Sequence, residues 1–294
     1  MAQSELDPRA ILEALGAADG VTAVTPVSGG WDTAIWRVER GGATYALRVF
    51  RPQQARVARR EAVVMRAGIP GVPIPALHAE GTWRERPALL IGWCAGRNLL
   101  DTLRAEPRRF WSLARAFGAM QARLHAAPAP AELAVPGRSW MDWEGSADAA
   151  LAARLRAAST GPDSILHFDY HPLNVMVADG RVTGVIDWAN VQVGDRRADL
   201  ARTLTILRLA PVEPGTPAAL FRFATRLLEL GWRRGYRAVA GPIGGMAHFY
   251  AWAGTLMAND LAPKIGRPGI WLQPHHLEPM HRWAAYWRDR AGIS

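Results

Sequence analysis

Residues 5–94 combine two helical patterns with several short segments of strand-like character. Apolar residues at helical spacing predict one helix over residues 5–18 and another over "QQARVARREAVVMRAG", which Gly68 should end as a C-cap. Alternating, β-branched or aromatic residues predict strands over residues 21–27, 34–40, 43–50, 74–83 and 86–94. The pattern therefore predicts a small N-terminal lobe, built as a five-stranded antiparallel sheet with one inserted helix.

From about residue 99 the pattern becomes mainly helical. "LLDTLRAEPRRFWSLARAFGAMQARLHAA" contains two candidate helices, and most of the chain after residue 190 has the same character. Between them lies "ILHFDYHPLNVMV" (residues 165–177), followed by a hairpin signal, Asp179-Gly180 between two alternating runs. We expect two domains, residues 1–93 and 94–294. A β-rich small lobe, an apolar connector and a larger, mainly helical lobe with a central hairpin is the order of elements in a two-lobed protein-kinase-like fold of the α+β class.

The composition is that of an ordinary globular protein. Hydrophobic residues make up 49% and charged residues 21% of the 294 positions. The N-terminus begins polar and then becomes helical, unlike a signal peptide, and the longest apolar run, "PALLIGWCAG", is too short to cross a bilayer. The single cysteine, Cys94, excludes an internal disulfide and fits a reducing compartment. We therefore expect a cytoplasmic protein, monomeric or homodimeric, without a membrane partner.

The positive charge of the chain comes almost entirely from arginine. The formal net charge is +9, and Lys264 is the single lysine among 35 basic residues. The arginines are scattered, with no run longer than two, which favours a solvated surface over a nucleic-acid-binding one. Any role that other proteins give to lysine must be carried by arginine here.

The segment 165–177 carries polar side chains within apolar strand material, where they need partners or a function. His167, Asp169 and Asn174 have the spacing of the H-R-D-x-x-x-x-N loop of protein kinases, in which the Asp receives the proton of the substrate hydroxyl and the Asn holds Mg²⁺. Asp187, just after the hairpin, stands where a second Mg²⁺-binding carboxylate is needed. The pattern indicates phosphoryl transfer.

The run "LHFDYHPLNVMV...VTGVIDWANVQVGDRRADLAR" resembles the aminoglycoside phosphotransferase and choline-kinase-like family of small-molecule kinases. That family has a His-Gly-Asp-x-His-x-x-Asn loop followed by an Ile-Asp-Trp or Ile-Asp-Phe metal motif. "GAMQARLHAA" is similar to its helix ahead of the loop, and "SGGWDTAIWRV" to its phosphate-loop hairpin. The resemblance implies a Mg²⁺-dependent kinase that uses ATP or GTP to phosphorylate a hydroxyl of a small molecule, an antibiotic or a metabolite.

The resemblance also implies the residues of the catalytic and metal sites. Asp169 and His171 are the expected catalytic residues, although His171 could instead brace the loop, as His167 is expected to do. Asn174 and Asp187 are the expected Mg²⁺ ligands. A purely structural role for the set of Asp169, Asn174 and Asp187 is disfavoured by their spacing and by the hairpin between them.

The nucleotide site is expected in the N-terminal lobe. Its phosphate loop would be Ser28, Gly29 and Gly30, although these glycines alone could form an ordinary hairpin turn. The base, adenine or guanine, should lie against the connector, where backbone groups can hydrogen-bond it; the connector residues are Ile91, Gly92 and Trp93.

Two positions depart from the family pattern. Phe168 replaces the usual glycine between His167 and Asp169, which could alter the backbone of the loop. The strand lysine expected in "YALRVF" is Arg48, which strand alternation still allows to point into the cleft. Arg48 would bind phosphate oxygens as a fork rather than as a point charge, and Glu61 on the following helix is the carboxylate that could orient it.

Two other functional classes stay open. "H-x-D-x-H" at residues 167–171 could be the nucleus of a metal-dependent hydrolase, but Asn174 and the Asp187 hairpin would then be unexplained. Its remaining zinc ligands would come from His248, His275, His276 and His281. The other class is a nucleotide-binding pseudokinase with a signalling role, which the substitution of arginine for lysine at position 48 keeps possible.

The net charge of residues 190–294 indicates which kind of acceptor molecule the protein would bind. Residues 190–294 contain seven acidic residues against thirteen arginines and one lysine, a formal balance of 14 − 7 = +7. Two of those acids, Asp195 and Asp199, are expected to cap a helix and anchor a loop. A polycationic acceptor needs a carboxylate-rich cleft, to which Asp260 and Glu278 are the candidates to contribute. We therefore expect an acceptor that is not a polycation.

Overall fold

The chain folds into two compact units. The computed structural model describes residues 6–27, 33–134, 139–159, 163–267 and 269–293. The first unit comprises residues 1–97 together with 176–190, and the second comprises residues 98–175 and 191–294. The first unit thus combines the N-terminal residues with the hairpin that follows the predicted catalytic loop (residues 167–174).

The elements within the described residues follow the predicted order. The strands are β1 (Val21–Val27), β2 (Ala34–Arg40), β3 (Ala43–Val49), β4 (Leu77–Trp83), β5 (Arg86–Gly92), β6 (Arg97–Asn98), β7 (Ser164–Leu166), β8 (Val175–Ala178), β9 (Arg181–Val185) and β10 (Gln192–Gly194). The helices are α1 (Pro8–Ala14), α2 (Ala55–Ala67), α3 (Leu99–Ala105), α4 (Phe110–Ala126), α5 (Ala149–Ala158), α6 (Arg196–Leu209), α7 (Ala218–Ala240), α8 (Ala247–Leu261) and α9 (Glu278–Arg290). No helix in this described part of the chain is both long and apolar enough to cross a membrane.

The first unit is built on the predicted five-stranded antiparallel sheet. Its order is β1-β2-β3-β5-β4, with α2 inserted between β3 and β4. Helix α2 ends where predicted, since Gly68 follows it with a φ of 65°, a conformation that glycine adopts without steric cost. Helix α1 is shorter than predicted: Asp7 caps its start by accepting from the Arg9 and Ala10 amides, and the helix ends at Ala14.

The two faces of β3 have different neighbours. One face packs into the hydrophobic core of the first unit, and the other carries Arg48 of the predicted nucleotide site. Leu47 and Val49 join the apolar cluster of the first unit, which also contains Ile11 and Leu12 of α1. Arg48, between them in sequence, points to the opposite face because successive strand side chains alternate. This is the face from which α2 contributes Glu61. Strand alternation therefore brings Arg48 to a helix of opposite charge.

The hairpin β8-β9 forms around the predicted Asp-Gly turn. Asp179 and Gly180 have φ angles of 51° and 73°, as a two-residue hairpin turn requires. The connector after β5 runs closely beside this hairpin, since a Cβ on Gly96 would lie 2.0 Å from the Val177 carbonyl oxygen. Cys94 fills the space over Gly184, and burial raises the pKa of its thiol to about 11. Its thiol packs there as a small hydrophobic group.

The second unit is a helical assembly that carries the predicted catalytic loop. Helices α4 and α7 pack closely along their length, because Gly118 and Gly235 lie where a Cβ would collide with the facing backbone. Helix α6 packs on α7 and α8. The short strands β7 and β10 pair antiparallel, which the sequence analysis does not predict. Because β7 leads into residue 167 and β10 leads into α6, this pairing brings the start of α6 to the catalytic loop.

Candidate active site

The segment from His167 to Asn174 forms a tight loop between β7 and β8. The Asp169 amide donates to Nδ1 of His167 at 3.3 Å, and the Leu173 amide donates to Nδ1 of His171 at 3.3 Å. His171 thereby caps the short 3₁₀ turn of residues 172–174. Both histidines brace the loop backbone. This role was predicted for His167, and for His171 it was one of two alternatives, the other being a catalytic role.

Asp169 is held at the centre of this loop with part of its carboxylate open to solvent. Nδ2 of Asn174 donates to Oδ2 of Asp169 at 3.1 Å, and Nε2 of His171 lies 3.4 Å from Oδ1. Burial opposes ionisation of this group, but His171, Arg202 and His167 outweigh it and hold the Asp169 pKa well below its usual range. With 27% of its side chain exposed, Asp169 is an ionised carboxylate that an acceptor can approach.

Phe168 keeps the backbone conformation that a glycine would adopt at this position. Its φ is 60°, in the left-handed region, which costs a non-glycine residue roughly 1–3 kcal/mol. Its ring is fully buried and packs against Trp140, Trp143 and Trp252, with centroid separations of 5.3 to 6.3 Å. Burial of a phenylalanine side chain contributes about 1.5–3 kcal/mol, which is enough to offset the strain. The departure from the family pattern therefore leaves the loop geometry intact.

Helix α6 anchors the loop through Asp199. Its Oδ1 accepts from the Phe168 amide at 2.5 Å, while its Oδ2 lies 2.8 Å from Nε2 of His125 and accepts from Nε2 of Gln121 at 2.9 Å. Although Asp199 is fully buried, His125, His167 and Gln121 hold its pKa below the usual value. Asp195 caps the same helix by accepting from the Arg197 amide. Both predictions, a helix cap and a loop anchor, are confirmed.

The partners of Asp199 on α4 are not among the residues predicted from the sequence. Gln121 and His125 are four residues apart on α4, and both are buried among apolar neighbours. The Nδ1 atom of His125 also lies 2.8 Å from the Tyr236 hydroxyl. Two buried polar residues at i and i+4 on an otherwise apolar helix face are the signal that could have indicated a shared partner.

The first unit holds a separate charged cluster around Arg48. Its Nη1 donates to Oε2 of Glu61 at 2.6 Å, and its Nη2 lies 3.5 Å from Oδ1 of Asp187. Arg48 and Glu61 are both buried, and within the part of the chain that the structure describes, Nε of Arg48 and Oε1 of Glu61 have no hydrogen-bond partner. Burial raises the pKa of Glu61 to about 7, opposed by Arg48 and assisted by Asp187. The contact between Glu61 and Arg48 that the sequence suggested is present.

Asp187 is presented to solvent by a strained turn at the end of β9. Its φ is 65°, and 43% of its side chain is exposed. The turn is supported behind Asp187, because the Trp188 indole donates to the Val185 carbonyl at 3.0 Å and the Val185 amide donates to the Pro73 carbonyl at 2.7 Å. Positive φ at a non-glycine residue is uncommon and tends to mark functional sites.

The predicted Mg²⁺ ligands have suitable chemistry. Asp187 offers an exposed carboxylate, and Asn174 has its Nδ2 occupied by the Asp169 carbonyl and carboxylate, which leaves its amide oxygen as the ligand atom. Hard oxygen donors of this kind are what Mg²⁺ prefers, together with phosphate and water. Among the described residues, no group of three or more His, Cys, Asp or Glu side chains is placed to hold a metal ion. The ligand set that the hydrolase alternative needs is therefore not assembled in that part of the chain.

The structure describes the connector of the predicted nucleotide site but not its phosphate loop. Ile91 is buried in β5, and the amides of Gly92 and Trp93 donate to the Ala76 and Thr44 carbonyls at 2.8 and 3.2 Å. These two amides are thus engaged within the first unit, and a base bound here would have to use carbonyl oxygens or later amides of the connector. The predicted phosphate loop, Ser28, Gly29 and Gly30, lies outside the described residues.

Comparison with known proteins defines the class. Residues 23–240 match the phosphotransferase enzyme family, and the chain belongs to that family. No curated protein matches the chain at a significant level. The solved structures do match, and they confirm the predicted protein-kinase-like α+β fold.

Three of these structures illustrate the similarity. A Ralstonia eutropha protein, provisionally named an aminoglycoside phosphotransferase, has a TM-score of 0.67 at 18% identity over 96% of this chain and 97% of that chain. A thermostable variant of the aminoglycoside phosphotransferase APH(4)-Ia, in a ternary complex with ADP and hygromycin B, has a TM-score of 0.61 at 17% identity over 97% and 96%. Amicoumacin kinase hAmiN, in complex with AMP-PNP, Ca²⁺ and Ami, has a TM-score of 0.63 at 12% identity over 98% and 95%.

Proposed function

We propose that this protein transfers the terminal phosphoryl group of ATP or GTP, with Mg²⁺, to a hydroxyl of a small molecule. The observation that carries the proposal is the ionised, partly exposed Asp169, held by His171 and Asn174 in a braced loop. Family membership supports the phosphotransferase activity. The nucleotides and small molecules bound to APH(4)-Ia and to amicoumacin kinase support the substrate classes.

Each unit supplies one part of this proposed reaction. In the first unit, Arg48 would bind phosphate oxygens, since a guanidinium held by a buried carboxylate is oriented before the nucleotide arrives. In the second unit, Asp169 would accept a hydrogen bond from the acceptor hydroxyl and so aim its oxygen. Asp187 and Asn174 would hold Mg²⁺, which supplies neutralisation of the charge on the phosphate oxygens.

The chemical step follows from these roles. The acceptor oxygen attacks the terminal phosphorus, the bond from phosphorus to the bridging oxygen breaks, and the nucleoside diphosphate leaves with that electron pair. The hydroxyl proton passes to the Asp169 carboxylate. Because the pKa of Asp169 is low, it is a weak base toward a free alcohol, and proton transfer is favoured only late in the step, when the new oxygen–phosphorus bond has made the proton acidic. Orientation is therefore the main contribution of this residue.

The experiment that tests the proposal is a screen for phosphoryl transfer. The purified protein is incubated with ATP or GTP and Mg²⁺ against a panel of hydroxylated antibiotics and metabolites, and phosphorylated product is detected by mass. We expect at least one acceptor to be phosphorylated. Tight nucleotide binding without transfer to any hydroxyl would contradict the proposal and favour the pseudokinase alternative.

Arg48→Ala should weaken nucleotide binding by about 10- to 100-fold, since charge-assisted hydrogen bonds contribute about 1.5–3 kcal/mol. Arg48→Lys should recover only part of this, because one ammonium group cannot reach Glu61 and Asp187 in the way that the two Nη atoms do. Calorimetric titration with ATP and GTP in the presence of Mg²⁺ measures the effect.

The matched control for Arg48 is Arg66→Ala in the same unit. Arg66, on α2, forms an exposed ion pair with Glu80, and removal of such a pair changes stability by less than about 1 kcal/mol. Nucleotide affinity of Arg66→Ala should equal that of the parent. If Arg48→Ala bound nucleotide as tightly as this control, Arg48 would have only a packing role in β3.

The acceptor that we propose is neutral, weakly cationic or anionic. Most carboxylates between residues 190 and 294 are already neutralised by partners in the described chain, and Asp199 is buried under the catalytic loop. The ion pairs are Asp195–Arg197, Glu229–Arg208, Asp260–Arg202 and Glu278–Arg282. Both acids that the sequence left available for a cationic substrate, Asp260 and Glu278, are therefore paired with arginine. The Asp260–Arg202 pair is largely buried, so a multiply charged cation would have to displace Arg202, whereas the Glu278–Arg282 pair is exposed and opposes such a cation only weakly.

Steady-state comparison of acceptors tests this expectation. A macrolide-like or other largely apolar hydroxyl compound should be phosphorylated with a higher kcat/KM than a kanamycin-type aminoglycoside. The ionic-strength dependence provides a second readout, since binding of a polycation by carboxylates weakens steeply with salt whereas binding of a neutral acceptor does not. Efficient, salt-sensitive phosphorylation of a tri- or tetracationic aminoglycoside, without activity on neutral compounds, would contradict it.

A further inference from the structure

Three side chains of α6 hold the backbone of the catalytic loop at successive polar groups. Asp199 accepts from the Phe168 amide, Nε of Arg202 lies 3.4 Å from the Phe168 carbonyl oxygen, and the Thr203 hydroxyl donates to the Tyr170 carbonyl at 3.0 Å. Their spacing of i, i+3 and i+4 places all three on one face of the helix. Both polar groups of the Phe168 backbone, immediately before Asp169, are thus bound to the same helix.

Arg202 is an unusual member of this set because it carries a buried charge. Only 7% of its side chain is exposed, and its Nη1 atom is buried without a hydrogen-bond partner among the described residues. Its Nη2 forms an ion pair with Asp260 of α8. Burial of an arginine costs several kcal/mol unless its charge is compensated, and a hydrocarbon side chain in an ordinary core position avoids this cost. The ion pair with Asp260 and the contact with the loop carbonyl are what this position gains from the charge.

The conformation of Phe168 makes a contact at its carbonyl useful. A residue with a φ of 60° that is not glycine returns to the more favourable region unless its surroundings prevent this. The aromatic cluster fixes the ring, Asp199 fixes the amide, and Arg202 is the group that fixes the carbonyl. Because the Phe168 carbonyl belongs to the peptide unit that leads into Asp169, rotation of this unit would turn the Asp169 side chain away from its contacts.

We propose that Arg202, held by Asp260, is a positioning residue of phosphoryl transfer, which fixes the Phe168–Asp169 peptide unit and thereby the direction of the Asp169 carboxylate. This inference rests on the proposed function for its catalytic consequence, but its structural part concerns the loop alone. Arg202 does not touch the reacting atoms. Its loss therefore affects the rate of transfer more than the binding of nucleotide.

The test compares Arg202→Met with Arg208→Met. Arg208 is on the same helix and forms an ion pair with the buried Glu229, at 2.8 and 2.6 Å, and its side-chain partners in the described chain, Glu229 and Trp283, lie outside the catalytic loop. Three quantities are measured for each variant: the thermal midpoint, hydrogen exchange of the peptide that spans residues 165–177, and kcat and KM for the nucleotide with an acceptor from the screen. Arg202→Lys and Asp260→Asn complete the set.

We expect Arg202→Met to lower kcat by about 10- to 100-fold, as displacement of a reacting group by about 1 Å does, with a nucleotide KM within about twofold of the parent. Exchange in the 165–177 peptide should be at least tenfold faster than in the parent. Arg208→Met should lower the thermal midpoint without either change. Arg202→Lys should restore part of kcat, since it keeps the charge opposite Asp260 but not the fork geometry.

The inference would be overturned if Arg202→Met and Arg208→Met behaved alike in exchange and in kcat, because Arg202 would then only stabilise the fold. Should Arg202→Met fail to fold, Arg202→Lys and Asp260→Asn decide the question by the same two readouts, with parental values overturning the inference. Failure of the proposed function is distinguishable, since in that case the parent itself transfers no phosphate while the exchange comparison still shows whether Arg202 orders the loop.

Discussion

Asp169→Asn should reduce kcat by roughly 10²- to 10⁴-fold, the range that loss of a general base produces, while nucleotide affinity stays within about twofold of the parent. The asparagine side chain has the same shape, so the loop contacts with Asn174 and His171 can largely persist. It lacks the negative charge that orients the acceptor hydroxyl and receives its proton. Single-turnover measurements with a confirmed acceptor separate this loss from product release.

Asp179→Asn is the control for this experiment. It makes the same chemical change ten residues later, at an exposed turn where asparagine tolerates the φ of 51°. Its kcat should equal that of the parent. Near-parental turnover of Asp169→Asn, at a parental thermal midpoint, would show that Asp169 is not the residue that receives the proton.

Asp187→Ala should abolish Mg²⁺-dependent nucleotide binding while the protein stays folded. The carboxylate is 43% exposed and makes one long contact with Arg48, so its removal costs little packing, and the Arg48–Glu61 pair remains. Without it, the Mg²⁺ that neutralises the phosphate oxygens would lose a charged ligand. Calorimetric titration of nucleotide in the presence and in the absence of Mg²⁺ measures the effect.

Asp187→Asn separates loss of the ligand from strain of the backbone. Alanine at a φ of 65° costs roughly 1–2 kcal/mol, whereas asparagine tolerates this region. If the metal role is correct, both variants lose the Mg²⁺-dependent part of the affinity, although only Asp187→Ala loses stability. Unchanged Mg²⁺-dependent affinity in Asp187→Asn would remove Asp187 from the metal site, with Asp179→Asn again serving as the matched control.

Much of the fold could be predicted because it depends on local patterns. The strands of the five-stranded sheet, helix α2 with its end at Gly68, and the hairpin around Asp179 and Gly180 all follow from side-chain alternation or from turn residues that accept a positive φ. The β7-β10 pair could not be predicted in this way. Each of its strands has three residues, and their partners are separated by the whole catalytic loop and hairpin, so no local period reports the pairing.

In the candidate site, too, the residues that could be predicted are those that lie close together in sequence. His167, Asp169, Asn174 and Asp187 lie within one short stretch of sequence, so their spacing alone indicated a catalytic loop and a metal ligand. Arg202 gave no such indication, because its two partners, Phe168 and Asp260, are 34 and 58 residues away. A surface arginine and a buried, paired arginine have the same appearance in a sequence that contains 34 of them.

The sequence by itself determined the order of elements, the residue types of the loop and the placement of Arg48 on the inner face of its strand, because strand periodicity and loop spacing are properties of neighbouring residues. Only the tertiary structure decided which charged side chains are free to bind a substrate and which are buried or paired. In that structure Asp199 is buried beneath Phe168, and Asp260 forms an ion pair with Arg202. The physical reason is that the free energy of a charge depends on its burial and on its nearest counter-ion, and both are set by helices that meet across long separations in sequence.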